Sequence, residues 1–290
     1  SLPMDTTALA LWVNPSVSSQ ISLNARLQDS RGFYFDTLIG QTDFNGWGRM
    51  EAEISPLGIS RSFRDTSPPP EVKAPFTLIA IYLRDLSRRG SSASGALLLG
   101  DLAAVRPTGE EVLSDFQTVD GWQVIEDYSK PGLFTLESSR AAPRAGNSTS
   151  ARFSWVAGVT GLKGIRAGGR EEPMPALVST SFLDVTERRL GETVNAFISS
   201  AALSVRIVGV ADYFPTLGDP WKNAFAVVDL RTFNRYVNLH SQNLSGGSNE
   251  LWLRLEDGSL APGEFPDELV DSVNGQGRSV GEVHVASEMV

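Results

Sequence analysis

Apolar and polar residues alternate with a period of two along much of the first hundred residues. Residues 21–28 read Ile-Ser-Leu-Asn-Ala-Arg-Leu-Gln, and residues 49–54 repeat the alternation around Met50, Ala52 and Ile54. Successive side chains of a strand point to opposite faces, so both segments are predicted strands with one buried face. Residues 76–83 are apolar at nearly every position, which is typical of a central strand covered on both sides. Further strands are predicted at 8–13, 33–39 and 95–105.

Turn-forming residues separate these strands. Residues 43–48 read Asp-Phe-Asn-Gly-Trp-Gly, residues 67–70 read Ser-Pro-Pro-Pro, and residues 87–94 form a serine-rich loop. Asn and Gly tolerate positive φ angles, and proline neither pairs inside a sheet nor continues a helix. Many short strands at turn-spaced intervals predict an antiparallel β-sandwich over residues 1–106.

Residues 107–160 repeat part of this pattern. The segment 115–122, Asp-Phe-Gln-Thr-Val-Asp-Gly-Trp, echoes the earlier Asp-Phe-Asn-Gly-Trp turn. About fifty residues are too few for a second complete sandwich. We therefore predict a partial β segment, or connector, added to the first domain or to the next. Its strands are predicted at 122–125, 133–138 and 151–155, with a hairpin loop at 143–150.

Helical and strand patterns alternate from residue 161 to residue 290. A short helix is predicted over 181–188, and Asp229 is a plausible N-cap for a second helix in which Phe233 and Val237 share a face. Interleaved elements of this kind predict an α+β domain whose mixed sheet carries helices on one face. Its strands are predicted at 193–198, 203–210, 224–228, 251–255 and 280–286, with a third helix over 265–273.

Composition narrows the classes of function. The formal net charge of −9 argues against nucleic acid as a partner, because phosphates are bound by basic surfaces. The absence of cysteine excludes disulfides, thiolate catalysis and Cys-ligated zinc, and two histidines exclude multi-His metal centres. The acidic pairs Glu110/Glu111 and Glu171/Glu172 read as solvated linker charges. No nucleophile elbow or phosphate-binding loop is found. We expect no catalytic residue, cofactor or metal.

The order of strands and turns in residues 1–106 resembles a galactose-binding-type jelly roll. Such modules often carry a D-x-x-G-W turn, here Asp43 to Trp47, and a late strand with an Asp near its middle, here Asp101. The resemblance makes Trp47, as a stacking platform for a sugar ring, and Asp43 the candidate ligand contacts. Trp47 as a plug at the end of the sandwich is favoured over this role. Asp36, Asp43 and Asp101 are candidate calcium ligands, although solvated turn carboxylates are the favoured interpretation.

A second resemblance covers residues 170–290. The motifs A-L-V-S-x-S-F, L-G-E-T-V, R-I-V-G-V and V-V-D-L-R-T-F begin at residues 176, 190, 206 and 227. Their order resembles the extracytoplasmic loop of ABC-transporter permeases related to macrolide exporters and to the bacterial division permease. The resemblance implies a non-catalytic region that couples the motion of membrane helices to a substrate or partner outside the membrane. ATP hydrolysis would belong to a separate cytoplasmic subunit or domain.

The upstream half departs from that family, whose members usually carry a compact inserted domain, and this leaves the transported substrate open. No run approaches the ~18–20 apolar residues that span a bilayer, and the start at Ser1 has no signal-peptide pattern. We expect a soluble segment cut from a membrane protein, lying on the extracytoplasmic face of the membrane. Its partners would be its own transmembrane helices, a cytoplasmic ATPase, and an extracytoplasmic protein or glycan.

The glycine-containing segment 160–169 is predicted to be a loop that supplies a hinge for such movements. The alternative function is a secreted or surface carbohydrate-binding protein in which the jelly roll binds the ligand.

Overall fold

The structure of the protein, a computed structural model, describes most of the chain up to residue 244. The described residues are 1–16, 21–60, 71–85, 94–126, 128, 130–141, 149–157, 162–169, 171–198, 201–211, 214 and 224–244. Within these ranges, no helix is long and apolar enough to cross a membrane. The predicted elements at 251–255, 265–273 and 280–286 lie outside the described residues, as do the loops 67–70, 87–93 and 143–148.

The described residues form three sheets and two helices. The strands of the N-terminal part are β1 (Ala8–Pro15), β2 (Ile21–Gln28), β3 (Tyr34–Gln41), β4 (Gly48–Glu53), β5 (Gly58–Ile59), β6 (Thr77–Asp85), β7 (Gly95–Arg106), β8 (Gly109–Ser114), β9 (Trp122–Val124), β10 (Phe134–Ser139), β11 (Ser150–Trp155) and β12 (Lys163–Ala167). The C-terminal part contains β13 (Met174–Val178), α1 (Thr180–Thr186), β14 (Thr193–Ile198), β15 (Ala201–Val210), β16 (Ala226–Val228) and α2 (Leu230–His240).

Two antiparallel six-stranded sheets pack face to face and form the predicted β-sandwich. The first sheet has the order β10-β11-β7-β1-β4, and β8 shares one edge of the long strand β7 with β11. The second sheet has the order β5-β3-β2-β6-β12-β9. Alternating apolar residues of both sheets face a common core, in which Leu11, Leu27 and Leu102 are fully buried. The result fits a jelly-roll-like β-sandwich.

The strands downstream of residue 106 belong to the same sandwich. β8, β10 and β11 extend the first sheet, while β9 and β12 extend the second. The prediction of a loop at 160–169 is wrong for residues 163–167, because they form β12 between β6 and β9. Gly164 is required by close packing: a Cβ there would meet the carbonyl oxygen of Ile81 and lie 2.7 Å from Cα of Tyr82. This glycine allows two strands to approach, and it does not mark a joint.

The C-terminal unit, residues 174–244, has the predicted α+β architecture. Its sheet has the order β14-β15-β13-β16, and only the pair β13/β15 is parallel, which makes this third sheet mixed. Residues of α2 pack on one face of it, where Tyr236 and Val237 meet Ala176 and Ile207. The predicted N-cap Asp229 is confirmed, since its side chain accepts a hydrogen bond from the backbone N–H of Thr232.

The opposite face of the third sheet differs from the prediction. The apolar pattern of 203–210 predicts burial on both sides, but Val208 and Val210 are 45% and 46% exposed. Leu177 of β13 is also largely exposed. Both helices described in this unit contribute to the core cluster on the other face.

Candidate functional site

The predicted ligand contacts, Asp43 and Trp47, lie together in the turn between β3 and β4. Gly46 holds this turn in the left-handed region with φ +77°, and Phe44 packs against Gly48. Asp43 is exposed and Trp47 is half-buried. The turn therefore presents a carboxylate and part of an indole ring to solvent.

The three aspartates considered for calcium do not form a site. Asp36 lies in β3 of the second sheet, where it is buried and paired with Arg26, so the expectation of a solvated turn carboxylate is wrong for it. Asp101 lies in β7 of the first sheet. No group of three or more His, Asp or Glu residues within the described ranges is placed to hold a metal ion.

The second Asp-Gly-Trp turn has an internal role. Nε1 of Trp122 donates a hydrogen bond to the hydroxyl of Ser114 over 3.1 Å, and its ring centroid lies 5.0 Å from that of Phe116. Phe116 is fully buried and adopts a left-handed backbone conformation, φ 51°. In this second turn, Phe116 and Trp122 therefore pack into the sandwich core.

The most elaborate arrangement of polar groups lies where the C-terminal end of α2 meets the outer face of the second sheet. One row of register partners crosses four strands on this face: Asp36 of β3, Arg26 of β2, Ala80 of β6 and Arg166 of β12. The last residues of α2 cover this row. Charged side chains that a bare sheet would present to water are buried here against a helix end.

Arg26 is the centre of the first contact. Its Nε and Nη2 donate to Oδ1 and Oδ2 of Asp36 over 2.8 and 3.0 Å, a bidentate pair. Nη1 donates to the backbone carbonyls of Ser241, over 2.8 Å, and of Asn238. The last carbonyls of a helix have no partner within the helix, so the guanidinium satisfies groups that would otherwise be buried unpaired.

The electrostatics of Arg26 favour its charged form. Burial alone lowers the pKa of a guanidinium, but the hydrogen bond and the charge of Asp36 outweigh burial, and the pKa of Arg26 is raised. The guanidinium carbon also lies 5.1 Å from the ring centroid of Tyr82, within the range of a cation–π contact. Arg26 thus has partners on the sheet and on the helix.

Glu171 is the centre of the second contact. Nε2 of His240, the last residue of α2, lies 2.7 Å from Oε2 of Glu171, and the hydroxyl of Tyr128 donates to the same oxygen over 3.1 Å. The side chains of His240 and Glu171 are only 4% and 6% exposed. Glu171 was expected to be a solvated linker charge, which is wrong, because the connection from β12 to β13 runs beneath the end of α2.

Burial raises the pKa of the Glu171 carboxyl, while the hydrogen bond and charge of His240, followed by the charge of Arg166, lower it. The net result is a pKa below the ordinary value of a glutamate. Burial also raises the pKa of Tyr128 and of Tyr236, and the charge of Glu171 raises both further. The cluster thus stabilises a carboxylate surrounded by neutral phenols, the imidazole of His240 and the cationic Arg166.

Apolar packing and one further hydrogen bond complete the contact. Leu239 of α2 packs into a small buried cluster with Tyr82, Ile125 and Leu162 of the sandwich. Nδ2 of Asn195, on β14, donates to the backbone carbonyl of Tyr128 over 2.9 Å. Tyr128 therefore contacts both α2 and the third sheet. We call this whole contact between the sandwich and the C-terminal unit the helix-end interface.

One signal in the sequence could have identified part of this interface. Arg26 and Asp36 are opposite charges at facing positions of the predicted β2/β3 hairpin, as their register shows. Glu171 and His240 are 69 residues apart and belong to no common motif, so no signal linked them. The helix-end interface joins the sandwich to the C-terminal unit. Its chemistry is that of a buried attachment, since the side chains of Glu171 and His240 are both almost completely buried.

Comparisons with protein-family models, with curated proteins and with solved structures found no match to this chain.

Proposed function

We propose that the chain is the non-catalytic extracytoplasmic region of an ABC-transporter permease, and that it couples the motion of membrane helices to a substrate or partner outside the membrane. The observation that carries this proposal is the helix-end interface. A part that transmits movement needs its units to be firmly joined. Here the buried Arg26 donates hydrogen bonds to carbonyls at the end of α2, and His240 of α2 contacts the buried Glu171. The partners in this proposal are the permease's own membrane helices and a cytoplasmic ATPase.

The placement of the four motifs supports the proposal. A-L-V-S-x-S-F runs from β13 into α1, L-G-E-T-V forms the turn into β14, R-I-V-G-V ends β15, and V-V-D-L-R-T-F runs from β16 through the Asp229 cap into α2. Each motif therefore covers the start or end of a regular element.

The connection between the two units also suits a mechanical role. Only residues 168–173 separate β12, an inner strand of the second sheet, from β13, an inner strand of the third. Both strands are hydrogen-bonded on each side, so a displacement of one sheet would be carried to the other through a short tether and through the helix-end interface. A flexible linker would absorb the same displacement.

The proposal is tested on the complete gene product in its membrane. Full-length protein, solubilised in detergent and purified by an affinity tag, is expected to bring with it a nucleotide-hydrolysing subunit, or to contain one. In reconstituted vesicles, Arg26→Met should uncouple ATP hydrolysis from transport, whereas Arg84→Met, at an exposed position of β6, should not. A gene product that neither contains nor binds an ATPase would refute the proposal.

One observation favours a second candidate, a secreted or surface protein that binds carbohydrate through the sandwich. Trp47 is only half-buried and shares its turn with the exposed Asp43, which leaves part of the indole ring accessible to a sugar. Binding on a glycan array that is lost in Trp47→Ala but kept in Trp47→Phe would support this function. No binding by the unmodified protein would remove it.

A further inference from the structure

We infer that Glu171, His240 and Tyr128 form an acid-sensitive latch, which holds the end of α2 on the sandwich while Glu171 is ionised and releases it when Glu171 is protonated. The latch does not depend on the proposed function, because it is a property of the isolated chain. It concerns how the two units are held together, whatever they act on.

The geometry places one carboxylate oxygen at the centre of the attachment. Oε2 of Glu171 accepts hydrogen bonds from the imidazole of His240 and from the hydroxyl of Tyr128, over 2.7 and 3.1 Å. These three residues come from three segments: the connection to β13, the end of α2, and the segment after β9. A single ionised group therefore links the helix to two segments of the sandwich side.

Among the residues that the structure describes, the other charged and titratable groups around Glu171 are mostly cationic or neutral. They are Arg166 on β12, Tyr236 and Arg235 on α2, Tyr128 after β9, and Glu172 beside Glu171. Arg26 and Asp36 lie farther along the same face and neutralise each other. Glu171 is thus the counter-charge for Arg166 and the hydrogen-bond partner of His240.

Protonation of Glu171 removes that counter-charge inside a buried site. Arg166 would then be a buried cation without an anionic partner at the latch, and an uncompensated buried charge is strongly unfavourable. Oε1 of Glu171 has no hydrogen-bond partner among the described residues, so a proton on that oxygen gains no acceptor in this part of the chain. Exposing the end of α2 to water relieves both costs.

The direction of the pH dependence follows from linkage. The folded-state pKa of Glu171 lies below its ordinary value, so the carboxylate contributes stability above the pKa of the unfolded chain. That contribution is lost as the pH falls through the folded-state pKa. The latch is therefore closed at neutral pH and opens in acid, whereas the apolar side chains that form the sandwich core do not titrate.

The chain has no cysteine, so two introduced cysteines can be labelled selectively. We would place spin labels at Val112→Cys on β8 and Val185→Cys on α1, which are 58% and 75% exposed. The distance distribution between the labels would be measured by pulsed electron–electron double resonance from neutral pH down to about pH 3.5. Far-ultraviolet circular dichroism would be recorded at each pH to follow the secondary structure.

The unmodified sequence is expected to give one narrow distribution at neutral pH. In acid the distribution should broaden reversibly while the circular dichroism is unchanged. Glu171→Gln should give the broad distribution at neutral pH, and the matched control Glu172→Gln, an exposed neighbour, should behave as the unmodified sequence does.

Three outcomes would overturn the inference. The first is a distribution that stays narrow until the circular dichroism signal itself is lost. The second is a Glu171→Gln variant with the same distances as the unmodified sequence at every pH, and the third is equal broadening in Glu172→Gln. The pH series of the unmodified sequence tests the inference without any variant at Glu171. The test therefore holds even if Glu171→Gln fails to fold.

Discussion

Nη1 of Arg26, on a strand of the sandwich, donates a hydrogen bond over 2.8 Å to the backbone carbonyl of Ser241, which caps the C-terminal end of α2. The two residues are 215 positions apart. The side chain of Arg26 is completely buried. The guanidinium therefore supplies the hydrogen-bond donor that a further turn of α2 would have supplied to this carbonyl.

Replacing Arg26 by Met should destabilise the protein by about 3–5 kcal/mol, because it leaves Asp36 as an unpaired buried carboxylate and the helix carbonyls without a donor. Urea denaturation followed by circular dichroism measures the change. Arg84→Met is the control, since Arg84 is exposed, and it should cost little. The double variant Arg26→Met/Asp36→Leu should recover part of the loss, and a double variant as unstable as the single one would contradict this explanation.

Stability should fall in alkali because buried tyrosines resist ionisation in the folded state. Burial is the largest cause of the raised pKa values of Tyr34, Tyr82, Tyr128 and Tyr236. The unfolded chain releases these protons first, so their contribution is complete below about pH 10 and decreases as the pH rises above it. Absorbance at the phenolate band should therefore rise at a higher pH for the folded protein than for the protein in urea. Coincident curves would contradict the prediction.

Gly164→Ala should destabilise the sandwich by about 1–3 kcal/mol, because the added methyl group meets the backbone of Ile81 and Tyr82, which cannot move without disturbing β6. Gly58→Ala is the matched control: Gly58 also lies in a strand, and a Cβ there meets nothing within 4 Å. Thermal unfolding of both variants gives the comparison. Equal midpoints would show that β12 does not pack against β6 as described.

Ser179→Ala should cost about 1–2 kcal/mol, chiefly because it removes the hydroxyl that accepts hydrogen bonds from two backbone N–H groups. The buried hydroxyl of Ser179 accepts from the backbone N–H of Phe182, as the N-cap of α1, and from that of Phe225, before β16, each over 3.1 Å. Ser179→Thr keeps the oxygen and should retain most of the stability. Hydrogen exchange should show faster exchange at both amides in the alanine variant, and protection of either amide would argue against the assignment.

The sequence predicted regular elements far better than the contacts between them. The alternation in residues 21–28 correctly placed Leu23 and Leu27 in the core of a strand, because the period of two is a local property of the backbone. The same alternation implied that Arg26 faces water. Its burial depends on α2 covering the outer face of the sheet, and a strand pattern contains no information about what covers its polar side.

The prediction for Glu171 was wrong for a related reason. Its neighbours, Gly168, Gly169, Glu172 and Pro173, are typical of an exposed linker. The segment does connect two units, but it also passes under a helix whose last residue is His240. Burial of a connection is decided by the docking of distant elements, which local composition cannot reveal. The N-cap Asp229, in contrast, was predicted correctly, because capping is settled within four residues.

The position of β12 has a consequence for how the protein is made. β12 lies between β6 and β9 in the second sheet, although it follows both in sequence, as well as β11. During synthesis, β6 therefore exposes an unpaired edge until residue 167 has left the ribosome, and β9 has no partner among the described strands before then. The sandwich can therefore complete its pairing once residue 167 is available, whereas β13 waits for its partners β15 and β16, the last of which ends at residue 228.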